Sequence, residues 1–486
     1  MASVRASLLF SFADRYGNLV INIVSTVALA RLLSPVETGL YSIAAGLINI
    51  AQSFREFGIS TYILQERDLT REKLASATGV CLLIAGVLAL IFTLTAGNIA
   101  GLYGNDRLTP IIQVLSLNFI LVAFASVGGA QMRRDMLFRS GMLISWTSTA
   151  ANAIVSLTLA ALSFGAISLA YGSLVGVAVS LAGNYVVLRE RALTWPSLRR
   201  WRDLVHFGVF STGTGLLTGL ADRTPDLVIG GLVSLEGVGL FSRGNGLVTL
   251  FRQAVTGVID PVIGSSMAEI YREGGDPRDP LLRIFSHLSA VGWPALVLLG
   301  LLARPIILIL FGSQWVGSIG VAQILCAGTA LALIGNVCQT YLASTGAVRS
   351  NFVIQIVSVP TLVAGVALGA LHSLEWAAAG AAFAGGLMTL LSLEIMRRWI
   401  RLSWGAIVRS VLPSFAMALL TALPPAAVIV FLGPIDTDRV WAIGFLAGIL
   451  GLLAWGGSIF LLRHPIRHEV GLLGSWARRK LVRGGS

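Results

Sequence analysis

Apolar stretches of about 20 residues, the length a helix needs to cross a bilayer core, recur from near residue 8 to near residue 463. Short polar breaks separate them. Fourteen spanning segments are expected, at 8–32, 38–64, 75–98, 109–131, 140–163, 166–188, 204–232, 237–263, 285–311, 318–345, 350–371, 375–396, 410–432 and 440–462. A membrane barrel would show ten-residue segments of alternating polarity. These runs are too long and too uniformly apolar for that, so each must satisfy its own backbone as a helix. The expected fold class is all-α, a polytopic membrane protein.

Composition leaves little room for anything else. Only 12% of residues are charged and mean hydropathy is +0.82, so no sizeable soluble domain fits between the segments. Of the 35 basic residues 33 are Arg, and they alternate in sequence. With the N-terminus placed in the cytoplasm, 26 fall on the cytoplasmic side, three on the other (Arg31, Arg107, Arg439) and six within segments. That asymmetry follows the positive-inside rule and predicts both termini inside. The net charge of +12 then reads as an orientation signal toward anionic lipid headgroups, and no nucleic-acid partner is needed. The run Trp476-Ala477-Arg478-Arg479-Lys480 has the character of an interfacial anchor.

The first segment already carries Asp14, Arg15, Asn18 and Asn22, unlike a cleavable signal core. Cys81, Cys326 and Cys338 all fall inside segments and are expected as packing thiols. His464 and His468 are four apart but broken by Pro465, so no metal site is expected. No G-x-x-x-x-G-K-[ST] stretch occurs, which excludes P-loop ATP hydrolysis by this chain.

An internal repeat organises the segments. Leu32-Leu33-Ser34-Pro35-Val36-Glu37-Thr38-Gly39-Leu40-Tyr41-Ser42 is echoed 200 residues later by Leu232-Val233-Ser234-Leu235-Glu236-Gly237-Val238-Gly239-Leu240-Phe241-Ser242. Tyr103-Gly104 pairs likewise with Phe311-Gly312, and Arg139-Ser140 with Arg349-Ser350. Six segments separate the copies, so both halves insert with the same orientation, as in a parallel repeat about the membrane normal. The expected organisation is an N-terminal six-helix lobe at 1–203, a second at 204–400, and helices 13 and 14 with a basic cytoplasmic tail at 401–486. Two such lobes supply the parts for alternating access.

Charge inside a bilayer is costly and usually functional. Here it gathers in segments 1, 2, 7 and 8, the repeat-equivalent pairs: Asp14 and Arg15; Arg55 and Glu56; Asp222, Arg223 and Asp226; Arg243, Arg252 and Asp260. Helical spacing puts these residues on polar stripes. Arg15, Asn18 and Asn22 form one; Asn49, Gln52, Ser53 and Glu56 a second. Ser211, Thr214, Thr218, Asp222 and Pro225 form the third, and Asn245, Thr249, Arg252, Thr256 and Asp260 the fourth. Convergence on one solvated cavity is the functional expectation; pairing between helices as packing glue is the structural alternative. Arg15, Asn18, Arg55, Arg223, Arg243, Asn245 and Arg252 are the candidate substrate-binding residues, since Arg presents fixed forked donors suited to phosphate and pyrophosphate. Asp14, Glu56, Asp222, Asp226 and Asp260 are candidate cavity acids, open to H+ or Na+ coupling. No catalytic residue and no other cofactor is expected.

The patterns A-R-L-L-S-P-V-E-T-G-L-Y-S (30–42), R-E-F-G-I-S (55–60), D-L-V-I-G-G-L-V-S…G-V-G-L-F-S-R (226–243) and I-L-I-L-F-G-S-Q-W (307–315) resemble the polysaccharide transporter branch of the multidrug/oligosaccharidyl-lipid/polysaccharide exporter superfamily, the Wzx-type flippases. The resemblance covers about 1–400. It implies a bacterial inner-membrane transporter that moves an undecaprenyl-pyrophosphate-linked oligosaccharide toward the periplasm, for lipopolysaccharide O-antigen, capsule or exopolysaccharide. Membrane lipids, a polysaccharide polymerase and glycosyltransferases are the partners it implies. Related peptidoglycan-precursor flippases use Arg on helices 1, 2 and 8, and Arg15, Arg55 and Arg252 or Arg243 occupy comparable helices here. A drug or organic-cation exporter of the same superfamily is the alternative, favoured by an acid-dominated pocket. A non-transporting scaffold is the third, with no use for costly charges.

Overall fold

The computed structural model describes residues 4–56, 59–66, 68–189, 195–199, 217, 219–431 and 440–467. Ser211, Thr214, Thr218, His468 and the tail 476–480 lie outside these, and only the backbone of Glu56 is described. Among the described residues the chain is helical with no strand. The first helices are α1 (Val4–Leu32), α2 (Pro35–Glu56), α3 (Ile59–Gln65), α4 (Arg71–Leu102), α5 (Leu108–Arg134), α6 (Phe138–Ala161) and α7 (Ile167–Leu188). Then come α8 (219–232), α9 (Leu235–Arg272), α10 (Arg278–Leu301), α11 (Ala303–Leu310), α12 (Ser318–Ser344), α13 (Val348–Ala370), α14 (Leu374–Ile400), α15 (Trp404–Phe431) and α16 (Val440–Leu461).

Ten of these are long and apolar enough to cross a membrane: α4 to α7, α10 and α12 to α16. The protein is a multi-pass membrane protein. Of the helices that carry the intramembrane charges, α1, α2 and α9 stand outside that set, and α8 is described continuously only from residue 219. One expected segment is two helices: segment 9 comprises α10 and α11, which divide at Leu302. Segment 2 is described as α2 and α3, and residues 57 and 58 between them lie outside the described residues. With 38 residues α9 is about 57 Å long at 1.5 Å per residue, well beyond the apolar thickness of a bilayer.

Residue contacts divide the chain into Met1–Ser242 and Arg243–Ser486. The packing boundary thus falls inside α9, and α8 packs with the first unit. In that unit α6 and α7 touch closely because Gly172 and Gly176 leave no side chain against Ser156 and Asn152. Neutral polar groups tie the helices. Thr93 and Ser116 hydroxyls lie 2.9 Å apart, and Asn118 Nδ2 donates to Ser173 Oγ at 3.0 Å. Where the chain leaves the membrane region, Lys73 Nζ bonds Glu66 Oε1 at 3.0 Å and holds that carboxyl below the usual carboxylate range.

In the second unit Gly365 and Gly380 face each other's backbone and bring α13 onto α14. The extra pair α15 and α16 docks on α10. Ser289 Oγ donates to Ser414 Oγ at 2.8 Å, and Trp455 Nε1 donates to the Ala290 carbonyl at 3.0 Å. His464, just past α16, is buried. Its Nδ1 accepts the Ile466 N–H at 3.2 Å, so its Nε2 carries the proton toward Ser414 Oγ (3.1 Å) and Ser286 Oγ (3.3 Å). Desolvation pushes its pKa below the ordinary His value, with His287 adding to the shift.

The repeat motif is explained residue by residue in the first unit. Ser34 Oγ accepts the Glu37 N–H at 3.3 Å while Glu37 Oε2 accepts the Ser34 N–H at 3.1 Å, a capping box that starts α2. Its counterpart Ser234 accepts the Gly237 N–H at 2.9 Å and starts α9. A Cβ at Gly39 would run into the Leu235 carbonyl, and one at Gly239 into the Pro35 carbonyl. Ser42 and Ser242 hydroxyls meet at 3.0 Å. The two copies therefore pack on each other reciprocally. Gly104 and Gly312 both take positive φ, +63° and +103°, a conformation that glycine adopts freely.

Candidate functional site

The charged positions separate into three environments. The first is α1 against α6. Gly17 lies against the Trp146 ring, which leaves no room for a side chain. Asn18 Nδ2 donates to Asp14 Oδ1 and to Ser145 Oγ, both at 2.7 Å. Thr149 Oγ1 donates to Asn18 Oδ1 at 2.7 Å, and Trp146 Nε1 to the Asp14 carbonyl at 3.3 Å. Asp14 and Asn18 thus belong to one network with α6, and Asp14 also borders a cavity of 440 Å³ in the first unit. Arg15, the next residue along, is exposed.

The second environment is α2 with α8. Arg223 Nη1 lies 4.0 Å from Asp226 Oδ2, an i,i+3 ion pair. Asp226 is buried at 6% exposure, so the pair compensates a carboxylate that burial alone would disfavour. Gly219 gives room to Ser53. Asp222 is exposed. Arg55 turns inward at 1% exposure. Its Nη1 donates to Ser126 Oγ at 3.3 Å and approaches Cys81 Sγ at 3.7 Å.

The third is α9 in the second unit. The Arg243 guanidinium carbon sits 5.0 Å from the Phe311 ring centre and 4.4 Å from the Trp315 ring, a cation–π box. Those aromatics end the I-L-I-L-F-G-S-Q-W pattern. Asn245 is half-buried and Arg252 exposed. Asp260 Oδ1 accepts from Asn336 Nδ2 at 2.9 Å.

The structure therefore brings together Asp14 with Asn18, Arg223 with Asp226, and Asp260 with Asn336. It buries Arg55, holds Arg243 half-buried against Phe311 and Trp315, and leaves Arg15, Asp222 and Arg252 exposed. The residues not anticipated from sequence are neutral or aromatic partners: Ser145, Thr149, Ser126, Asn336, Phe311 and Trp315. A signal for two of them exists. Ser145, Thr149, Asn152 and Ser156 form an uncharged polar stripe on α6, visible at helical spacing. Among the described residues no cluster of three His, Cys, Asp or Glu side chains could hold a metal.

A family profile described as polysaccharide biosynthesis protein matches residues 28–320. The succinoglycan biosynthesis transport protein ExoT of Rhizobium meliloti (strain 1021) is 28% identical over 63% of this chain and 62% of its own length. The chain thus aligns with less than two thirds of that relative. The lipopolysaccharide biosynthesis protein WzxC of Escherichia coli (strain K12) is 23% identical over 68% of each chain. Among solved structures, the lipid II flippase MurJ superposes with a TM-score of 0.74, covering 95% of this chain and all of the other, at 15% identity. An inward-facing MATE multidrug transporter of the MOP superfamily gives 0.56 at 17% identity, over 81% and 94% of the two chains. At such identities the likeness is one of fold, a MurJ- and MATE-like bundle. The family match covers more than half of the chain: this protein belongs to the polysaccharide biosynthesis protein family, on the polysaccharide transporter branch of the exporter superfamily that its motifs resemble.

Proposed function

We propose that this chain is a flippase for a polyprenyl-pyrophosphate-linked oligosaccharide, moving the repeat unit of a surface polysaccharide from the cytoplasmic to the periplasmic leaflet by alternating access. One observation carries the reading beyond family membership: almost all the charge expected within the membrane, Arg304 of α11 aside, lies on α1, α2, α8 and α9. Restricting such costly groups to the repeat-equivalent helices is what a transport path requires, and a scaffold does not. We assign fourteen spans with both termini cytoplasmic, on the 26-to-3 split of basic residues.

Within this reading the exposed arginines Arg15 and Arg252 meet the pyrophosphate, each as a forked donor. Arg55 and Arg243 brace their own units, through Ser126 and Cys81 and through Phe311 and Trp315 respectively. The exposed Asp222 and the paired Asp226 and Asp260 are the groups available to H+ or Na+ coupling. An organic-cation exporter would need acids unopposed by arginine. Here Asp226 is paired with Arg223, which favours anionic cargo.

The test is leaflet accessibility of the lipid-linked oligosaccharide in membranes from a strain carrying only this transporter. Arg15→Ala and Arg252→Ala should each block appearance of the glycan on the periplasmic face while the protein still reaches the membrane. Arg→Lys should restore turnover only in part, since Lys keeps charge but loses the planar fork. Normal turnover with both arginines replaced overturns the anion-path assignment. Absence of turnover in the unaltered protein overturns the flippase reading itself.

A further inference from the structure

The 440 Å³ cavity of the first unit is the least expected feature among its apolar helices. It lies among α1, α5, α6 and α7, and its volume falls in the range of about 300–1,000 Å³ typical of small-molecule sites. Its wall includes Asp14, Arg133, Ser145, Thr149, Ser180 and Asn184. Asn184 is 2% exposed. Its Nδ2 donates to the Ala125 carbonyl at 2.9 Å, but its Oδ1 is buried and accepts no hydrogen bond among the described groups. A buried amide oxygen without a donor is costly to leave so. Asp14 is held through Oδ1 by Asn18, and no described cation pairs with it. Arg133 is exposed at the end of α5.

We infer that this cavity is a saccharide-binding subsite, taking one pyranose ring of the cargo within the first unit. The inference rests on the flippase reading and adds to it where the sugar is read. The chemistry matches a polyol. The Asp14 carboxylate accepts from vicinal sugar hydroxyls, while the guanidinium and the Ser145 and Ser180 hydroxyls donate to ring and hydroxyl oxygens. Phe10, Met132, Phe138 and Met142 complete the wall and offer apolar contact to the C–H faces of the ring, whereas a lipid chain would have no use for the carboxylate and guanidinium beside them. A bare pyrophosphate would want cations without Asp14 beside them. The pyrophosphate-binding arginines assigned above, Arg15 and Arg252, are absent from this wall, so sugar and phosphate are recognised by different side chains.

The experiment uses the full-length protein in proteoliposomes with Ser180→Cys as reporter; the described native cysteines are all buried. Two probes are compared: undecaprenyl pyrophosphate bearing a single hexose, and the same lipid without sugar. The hexose-bearing lipid should slow alkylation of the reporter by a polar maleimide severalfold, and the sugar-free lipid should leave it unchanged. Adding Asp14→Asn, which retains an acceptor for Asn18, should erase the difference. Equal protection by both lipids, no protection by either, or protection that survives Asp14→Asn overturns the subsite. Turnover assays separate the two readings. If the unaltered protein turns over the hexose-bearing lipid and Asp14→Asn does so equally well, with no gain or loss of preference over the sugar-free lipid, only the subsite fails. If the unaltered protein turns over neither, the flippase reading fails first.

Discussion

In the first unit the cavity among α1, α5, α6 and α7 is walled by a carboxylate, a guanidinium, an amide and several hydroxyls set among apolar side chains such as Phe10, Met132 and Phe138. The second unit instead holds cavities of 370 and 610 Å³ walled mainly by Leu, Ile, Val, Ala and Phe. Yet the repeat motif is retained in both copies at the places where helices start and touch. The cap is Ser34 in one copy and Ser234 in the other, the close-contact glycine is Gly39 or Gly239, and the turn glycine is Gly104 or Gly312. A repeated sequence thus keeps the chemistry that closes backbone geometry, because a cap or a missing Cβ has few substitutes. What lines the interior is free to diverge, since an apolar wall and a satisfied polar wall both pack.

The sharpest way to break that comparison is at the paired glycines. Gly39→Val and Gly239→Val each push a branched side chain into a backbone carbonyl, and a carbonyl within a helix has nowhere to go. Each should cost at least about 1–3 kcal/mol, the usual range for overpacking, and the two should lower the thermal unfolding midpoint of the solubilised protein by similar amounts. A marked inequality between the two would show that the copies do not share the contact symmetrically.

A smaller effect separates the units by pH. The His464 pKa is lowered by burial, so the unfolded chain binds this proton more readily than the folded one. The stability His464 confers is complete above the ordinary value of 6.5 and falls as pH drops below it. Between about pH 7.5 and about pH 5.5, thermal exposure of Cys326 and Cys338 in the second unit should shift to lower temperature. Exposure of Cys81 in the first should move less. His464→Asn should remove the pH dependence; if it persists, another group governs it.

The smallest effect tests the shared caps. Ser34→Ala and Ser234→Ala should each cost about 1 kcal/mol, read as local hydrogen exchange at the first turns of α2 and α9. Ser34→Ala should cost slightly more, because it also leaves Glu37 without its reciprocal partner.

The helices and the repeat were legible because both leave periodic or in-register marks in the chain. The charged stripes were legible too, as positions on a helix face. What each face meets was not. Arg55 shares the polar composition of its neighbours, but only the packing of α2 on α4 and α5 turns it toward Cys81 and Ser126. Arg243 lies on the same expected segment as Asn245 and Arg252, yet its aromatic partners stand about seventy residues on, at Phe311 and Trp315. Asn184 was hidden for a different reason. A single amide in a long apolar run scarcely alters the hydropathy pattern, although burial makes its unmatched oxygen informative.

The reciprocal meeting of Gly39 with the Leu235 carbonyl and of Gly239 with the Pro35 carbonyl has the form of an isologous contact, in which one patch recognises itself. It also binds the two sites together in heredity: a bulkier residue in either copy must be answered by a backbone shift in the other, so neither glycine is free to drift alone.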